Sequence, residues 1–213
     1  MQKINCTTVP EMSVILFSGQ TTFSCCTKFF QGLNCVSNKF EITHCGVVIH
    51  QSAKQIIDKV KGGKCKNLKE EQYESVIKDL EFDDDVVRPF VIEAHMPFVH
   101  IRPLEPQLTS YNGSLYLRIP KVAPKQVCDW EGMIGVLYER NWFDMLWSTL
   151  EIPTKPDSKD LYCSELVALA CIEAGLIKSQ SFNVIPEYLA TPAKKNDILR
   201  EAYGKEIVLK IQV

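Results

Sequence analysis

The residues with the clearest capacity for chemistry in this sequence are a cysteine at the start of a predicted helix and a histidine on a predicted strand. Cys163 lies in the run Leu161-Tyr162-Cys163-Ser164-Glu165-Leu166-Val167, and His44 lies far upstream in the run Thr43-His44-Cys45-Gly46-Val47-Val48. A free thiol has a pKa of roughly 8.5, so it is mostly protonated at neutral pH, whereas the reactive form is the thiolate. The positive end of a helix dipole favours this anion, and a neighbouring imidazole accepts the proton. The two residues therefore predict a cysteine hydrolase or an acyl transferase.

The run Asp157-Ser158-Lys159-Asp160 supplies N-cap candidates for the predicted helix that carries Cys163, and Gly175 is the expected end of this helix. If Asp160 is the cap, Cys163 occupies the third helical position, inside the first turn. Apolar positions recur at intervals of three and four residues, which is typical of a buried stripe: Cys163, Leu166, Val167, Ala170, Cys171 and Ala174. The stripe allows a structural interpretation, in which Cys163 is simply the first core residue. The catalytic interpretation is about as strong as the structural one, because Cys163 lies at the helix start beside the polar residues Ser164 and Glu165.

The strand predicted over residues 42–50 carries the candidate general base. His44 and Gly46 share one face of this strand and Cys45 points to the other face, because side chains alternate along a strand. A glycine two residues from the histidine leaves room for a helix start to approach the strand closely. Cys45 is accordingly expected to pack in the core, away from the site. The alternative for His44 is an edge-strand position with a solvated ring.

An acidic residue in the next apolar strand supplies the third candidate. Glu93 lies in the run Val91-Ile92-Glu93-Ala94, and a buried carboxylate is costly unless it is paired. Orienting an imidazole meets this demand and completes a Cys-His-acid system. Two alternatives remain open. One is an ordinary salt bridge between Glu93 and Arg88 or Arg102, and the other is His95, on the same face, as the third residue.

The composition of the chain is that of an ordinary globular protein. The 213 residues are 46% hydrophobic and 23% charged, which suffices for a single domain over residues 1–213 with a core that needs no disulfide or metal. The formal net charge of −2 gives no electrostatic reason for binding nucleic acid or an anionic membrane surface. No apolar run is long enough to span a bilayer, and the start of the sequence lacks the apolar segment of a secretory signal. These features predict a cytoplasmic protein without a transmembrane segment.

The sequence contains nine cysteines, an odd and unusually large number: Cys6, Cys25, Cys26, Cys35, Cys45, Cys65, Cys128, Cys163 and Cys171. The adjacent pair Cys25-Cys26 and the missing secretory signal favour free, mostly buried thiols in a reducing compartment. No Cys-x-x-Cys motif occurs, so the cysteines predict no metal site, and no cofactor is expected. His95 and His100 flank the predicted turn at Pro97, which keeps a zinc site as a weaker alternative.

Hydrophobic periodicity predicts an α+β fold with a mainly antiparallel sheet packed against helices, because strands and helices do not alternate regularly. Strands are predicted near residues 13–17, 42–50, 89–96, 98–104, 114–119 and 206–213. Helices are predicted near residues 22–33, 124–138, 163–174 and 186–190. The charged segment 55–86 is predicted as a surface insertion, partly helical, between the histidine strand and the acid strand.

Three motifs, in this order, resemble those of the circularly permuted papain-like branch of the NlpC superfamily. They are Thr43-His44-Cys45-Gly46-Val47-Val48-Ile49, Val91-Ile92-Glu93-Ala94 and Tyr162-Cys163-Ser164-Glu165-Leu166-Val167. The strand Val14-Ile15-Leu16-Phe17 and the run Pro186-Glu187-Tyr188-Leu189 are also similar, so the resemblance covers about residues 13–192. This YiiX/YaeF-like group includes a poxvirus protein and is related to lecithin–retinol acyltransferase.

The resemblance implies a single permuted papain-like (NlpC-type) domain with Cys163 as nucleophile, His44 as general base and Glu93 as the residue that orients the imidazole. It further implies that Tyr162 and Gly46 lie beside the substrate. The expected partner is a lipid, peptide or modified protein that carries an acyl group in an amide, ester or thioester bond. Peripheral contact with a membrane is compatible with such a substrate. The alternative is a catalytically inactive binding module of the same fold, used by a pathogen or virus within the host cytoplasm.

Overall fold

The computed structural model describes residues 6–19, 42–80, 83–126, 128–138, 160–178, 189, 199, 201–205 and 207–209. The helix predicted near residues 22–33 lies outside the described residues, as does the short helix near residues 186–190 except for Leu189. The described parts of the chain build one sheet with apolar clusters on both of its faces. Within these ranges, no helix has both the length and the apolar character needed to cross a membrane.

The described residues form eight strands of one sheet: β1 (Val14–Gly19), β2 (His44–Ser52), β3 (Val87–His95), β4 (Phe98–Pro103), β5 (Gly113–Arg118), β6 (Leu137–Tyr138), β7 (Asp160–Leu161) and β8 (Ile207–Leu209). Their spatial order is β7-β6-β4-β3-β2-β1-β5-β8. Neighbouring strands pair antiparallel, except that β6 and β7 are parallel. This arrangement confirms the predicted α+β class with a mainly antiparallel sheet.

Five α-helices accompany the sheet in the described residues: α1 (Ala53–Lys61), α2 (Glu70–Asp79), α3 (Leu104–Ser110), α4 (Trp130–Met133) and α5 (Cys163–Glu173). The start of α1 follows from two local side chains. The Ser52 hydroxyl accepts a hydrogen bond from the Gln55 backbone N–H at 3.2 Å, and the Gln55 side-chain oxygen accepts one from the Ser52 backbone N–H at 3.5 Å. This reciprocal cap lets α1 begin directly where β2 ends.

The two faces of the sheet bury different sets of side chains, because successive residues of a strand point in opposite directions. Val47 and Ile49 of β2 lie in the main core, which also contains the apolar side chains of α1, α2 and α5. Val48 of the same strand lies in a second cluster with Phe17 of β1 and Leu104 of α3. The sheet therefore separates a larger helical layer from a smaller one.

The segment predicted as a surface insertion forms α1 and α2, between β2 and β3. Its apolar side chains are buried in the main core, among them Ile56, Val60, Val76 and Leu80. These residues are sparse in the charged segment, but their spacing of four places them on one side of each helix. The prediction of a surface segment is therefore wrong for the inner side of both helices.

The prediction of a helix near residues 124–138 is also wrong, since only the short α4 is helical in the described part of this segment and β6 follows it. Gly135 has a φ of +87°, a conformation that favours glycine, and a Cβ at this position would lie 2.5 Å from the backbone of Leu68. The chain turns here in order to pack against the residues that precede α2. A tertiary contact thus interrupts a segment whose local sequence is compatible with a helix.

Helix α5 buries its predicted apolar stripe, which consists of Cys163, Leu166, Val167, Ala170, Cys171 and Ala174. The chain leaves the helix at Gly175, which has a φ of +67°, as predicted. The start of the helix differs from the prediction. Tyr162 is the N-cap and Cys163 is the first helical residue, because Asp160–Leu161 form β7 beside β6. Cys163 nevertheless remains in the first turn, where the helix dipole favours an anion.

Candidate active site

The candidate residues converge where the ladder between β2 and β3 ends. The last pair of this ladder is Gly46↔Glu93, so His44 and Cys45 lie just beyond it. Helix α5 starts beside them, and its first residue, Cys163, contacts both. The open end of the ladder therefore lets side chains from both faces of the sheet reach the same helix start.

His44 connects the other two members of the predicted site. Its Nε2 lies 2.8 Å from Oε2 of Glu93, and the ring also hydrogen-bonds the Cys163 side chain. A carboxylate only accepts hydrogen bonds, so Nε2 carries the hydrogen and Nδ1 is left to exchange a proton with Cys163. The ring of Phe17 supports the imidazole, with the two ring centroids 5.2 Å apart. The alternative of a solvated edge-strand histidine is wrong, since the side chain is only 22% exposed.

Glu93 is buried, with 1% of its side chain exposed, and both of its oxygens are hydrogen-bonded. Oε1 accepts from Nε2 of Gln107 at 2.6 Å and from Nη1 of Arg102 at 3.3 Å, while Oε2 faces His44. Arg102 also donates through Nε to Asp79 at 3.0 Å. The carboxylate thus combines both roles considered from the sequence, because it orients the imidazole and forms the salt bridge with Arg102. Charge-assisted donors replace the water that burial removes.

Electrostatic interactions favour a thiolate–imidazolium pair at neutral pH. The hydrogen bond from the Cys45 thiol, and then the charge and hydrogen bond of His44, hold the pKa of Cys163 well below its usual value despite burial. Burial alone would lower the pKa of His44, but the Cys163 thiolate and Glu93 raise it to about 10. Burial also opposes ionisation of Glu93, yet the hydrogen bond and charge of His44 hold the pKa of this carboxyl below its usual value. The three charged groups therefore stabilise one another.

Cys45 contacts the candidate nucleophile, so the prediction that it packs away from the site is wrong. Its side chain is indeed buried in the main core, on the opposite face of β2 from His44. Helix α5 packs on that same face, and both the thiol and the backbone of Cys45 hydrogen-bond Cys163. Strand alternation gives each side-chain direction correctly, but it does not describe the end of a ladder, where a helix start meets both faces.

Two residues of the site were missed in the sequence, and their signals differ. Gln107 lies on α3 and reaches Glu93 from the second layer, and no motif or periodicity around it indicates this contact. Cys45 carries a signal in its position next to His44, although alternation along β2 points its side chain to the opposite face.

His95 does not occupy the place of Glu93 beside the imidazole. It is exposed, its Nδ1 lies 3.0 Å from the backbone carbonyl oxygen of Met96, and its ring is edge-on to that of His44 at a centroid distance of 6.2 Å.

Among the residues that the structure describes, no group of three or more His, Cys, Asp and Glu side chains is arranged to hold a metal ion.

Tyr162, predicted to lie beside the substrate, is the N-cap residue of α5 and immediately precedes Cys163. Its ring lies edge-on to that of Tyr138 on β6, with the centroids 6.2 Å apart. Two aromatic rings therefore lie next to the start of the helix that carries the thiol.

Gly46 serves the packing of β2 on β3, and the space predicted beside it is occupied by β3. A Cβ at this position would lie 2.6 Å from Cγ2 of Val91 and 2.9 Å from the carbonyl oxygen of Ile92.

We expect Gly46→Ala to lower the free energy of unfolding by about 1–3 kcal/mol, the usual cost of overpacking. Urea denaturation measures this. Gly204→Ala is the matched control, because a Cβ there meets only the carbonyl oxygen of Ile119, at 3.6 Å. Equal stability of the two variants would contradict the tight contact at Gly46.

Low-dose iodoacetamide should label Cys163 before the other described cysteines. Labelling of Cys163 should also begin at a lower pH than labelling of the others. Only the thiolate reacts, and burial raises the pKa of Cys65 to about 11 and those of Cys128 and Cys171 to about 12. Since the pKa of Cys163 is lowered, its labelling rate should already be maximal at neutral pH and fall only as the pH drops through that lowered value. Peptide mapping over a pH series measures these rates. A rate at Cys163 that rises near pH 8.5 (roughly the pKa of an ordinary thiol) would contradict the ion pair.

Neither a known protein-family model nor a curated protein matches this chain.

Proposed function

We propose that the protein is a thiol-dependent hydrolase or acyl transferase that acts on an amide, ester or thioester. The observation that carries this proposal is the continuous hydrogen-bonded chain from Cys163 through His44 to Glu93. A nucleophile, a base within hydrogen-bond reach and a third group that orients the base are the requirements for covalent catalysis of acyl transfer. All three positions hold competent residues, which favours an enzyme over an inactive binding module.

The reaction begins with attack of the Cys163 thiolate on the acyl carbon. A C–S bond forms, and negative charge develops on the carbonyl oxygen. The backbone N–H of Cys163 is a suitable donor to this oxygen, because the first N–H groups of a helix have no acceptor within the helix. The His44 imidazolium then gives its proton to the leaving group, and an acyl-enzyme with a thioester bond remains.

The second half of the reaction releases the acyl group. Neutral His44 takes a proton from water, or from an acceptor hydroxyl or amine, as the oxygen or nitrogen attacks the thioester carbon. The C–S bond breaks and the thiolate is restored. Glu93 holds the ring throughout, so that Nδ1 faces the reacting atoms and the imidazolium has a counter-charge. Whether water or another acceptor attacks decides between hydrolase and transferase.

The permuted papain-like fold is part of this proposal. The order of the histidine, the acid and the cysteine along the chain supports it, as does the packing of α5 against an antiparallel sheet that carries the other two residues. We propose an acyl-containing lipid, peptide or modified protein as the substrate in the cytoplasm. Tyr162 and Tyr138 beside the helix start are suited to contact the group next to the scissile bond.

An acyl-directed electrophilic probe, such as a peptidyl or fatty-acyl acyloxymethyl ketone, tests this function. The proposal expects one adduct per chain, located at Cys163 by peptide mapping. His44→Ala should slow this reaction strongly at neutral pH, since the thiolate loses its counter-ion. His50→Ala is a matched control, because His50 lies on the same strand but its Nε2 faces the carbonyl oxygen of Val9 at 2.8 Å. A wild-type protein that forms no adduct with either probe would support the inactive binding module.

A further inference from the structure

The thiol pair Cys45–Cys163 is a feature that the acyl-transfer mechanism does not require. Cys45 follows His44 and lies one residue beyond the last pair of the β2–β3 ladder, so its backbone N–H falls outside this ladder. The Cys45 and Cys163 side chains are both buried in the main core, on the face of β2 against which α5 packs. The electrostatics of Cys163 accordingly include hydrogen bonds from the thiol and the backbone of Cys45. The two sulfurs are therefore neighbours, one on a strand and the other on the first turn of a helix.

The two thiols have different chemical properties. Cys163 is held as a thiolate by its hydrogen bonds and by His44, whereas burial and the neighbouring thiolate raise the pKa of Cys45 well above its usual value. The nucleophilic sulfur thus has a protonated sulfur at its side. Among the described residues, none of the other cysteines has a hydrogen bond to a second thiol. Cys171, further along α5, lies 3.1 Å from the hydroxyl oxygen of Tyr203.

We propose that Cys45 and Cys163 form a reversible disulfide when the protein meets a hydroperoxide, and that this disulfide switches the active site off. The inference rests on the proposed role of Cys163 as the nucleophile. A thiolate beside a second cysteine is the usual arrangement of a redox-sensitive site, in which the second thiol resolves the first oxidation product.

The first step consumes the hydroperoxide. The Cys163 thiolate attacks the terminal oxygen, the O–O bond breaks, and an S–O bond forms. The His44 imidazolium gives its proton to the departing alkoxide, so the products are an alcohol and the sulfenic acid of Cys163. Sulfur is oxidised by two electrons and the peroxide is reduced by two.

The second step forms the disulfide. The sulfur of Cys45 attacks the sulfur of the sulfenic acid, an S–S bond forms, and the S–O bond breaks. The hydroxyl group leaves and takes the proton of the Cys45 thiol to give water. The hydrogen-bonded sulfurs need only approach to about 2 Å, the length of a disulfide bond. A small dithiol restores both cysteines by thiol–disulfide exchange.

Peroxide treatment of the full-length protein tests this inference without a substrate. The reduced protein is treated with stoichiometric hydrogen peroxide, free thiols are blocked with N-ethylmaleimide, and disulfide-linked peptides are mapped. The expected result is a Cys45–Cys163 link, with loss of nearly all subsequent iodoacetamide labelling at Cys163 and full recovery after dithiothreitol. Sulfinic or sulfonic acid at Cys163 without this link, or a link to Cys25, Cys26 or Cys35, would overturn the inference.

Variants separate the roles of the cysteines. In Cys45→Ala, peroxide should drive Cys163 to the sulfinic or sulfonic acid, and dithiothreitol should no longer restore labelling. Cys171→Ala is the matched control on the same helix and should keep the reversible link. Reversible protection in Cys45→Ala would overturn the inference. A Cys45–Cys163 link in a protein that turns over no acyl substrate would support the thiol pair while counting against the proposed enzymatic function.

Discussion

Cys163→Ser should lose nearly all acyl turnover, with kcat/KM reduced by about 10³-fold or more, while the protein stays folded. Serine is close to cysteine in size, but its hydroxyl is a far weaker acid. His44 would therefore have to remove a proton that the wild-type thiol has already given up. The side chain is 5% exposed, so we expect the change in unfolding free energy to be about 1–2 kcal/mol, the cost of altering one buried hydrogen-bonded group.

The control for this loss is Cys171→Ser. Cys171 lies on the same buried stripe of α5, two turns further on, and its sulfur contacts the Tyr203 hydroxyl rather than the imidazole. This variant should keep wild-type turnover per folded molecule. Turnover by Cys163→Ser at the wild-type rate, after removal of trace wild-type enzyme, would mean that the sulfur of Cys163 does not form the acyl-enzyme.

Glu93→Gln should reduce kcat/KM by about 10²–10⁴-fold, because it reverses the proton position on His44. Gln107 and Arg102 both donate to Oε1 of the carboxylate, so the oxygen of the new amide must stay on that side. Its NH₂ group then faces Nε2 of His44 and donates to it. Nε2 becomes an acceptor, the ring proton moves to Nδ1, and Nδ1 cannot accept a proton from Cys163.

The same substitution should move the labelling profile of Cys163. Without the carboxylate the pKa of His44 falls from about 10 toward its ordinary value, and the pKa of Cys163 rises with the loss of the imidazolium. Iodoacetamide labelling should then increase over a higher pH range than in the wild type. Glu105→Gln, at an exposed position on α3, is the matched control and should change neither turnover nor the profile. A Glu93→Gln protein with unchanged turnover and labelling would show that the carboxylate only fills space.

Local sequence patterns were sufficient to select three of the residues that meet in the site. Alternation along β2 and β3 and the stripe of α5 each depend on residues close in sequence, and they identified His44, Glu93 and Cys163 one element at a time. The structure brings these three together by sheet pairing and by packing of α5.

The residues that were missed depend on contacts between distant segments. Cys45 points where alternation places it, yet it meets Cys163 because α5 starts at the open end of the β2–β3 ladder. Gln107 reaches Glu93 across the sequence from α3. The prediction of a helix near residues 124–138 is wrong because of another contact between distant segments, in which Gly135 closely approaches the backbone of Leu68. Periodicity reports which side of an element is buried, but not which element covers it.

Trapping of the acyl-enzyme shows whether the sulfur of Cys163 carries the acyl group. The wild-type protein is mixed with an activated acyl thioester, the reaction is quenched in acid, and the acylated peptide is identified by mass spectrometry. We expect an acyl group on the sulfur of Cys163, removable by neutral hydroxylamine as a thioester, and no such group in Cys163→Ala. Acylation confined to another residue, or the same acylation pattern in Cys163→Ala, would mean that Cys163 is not the nucleophile.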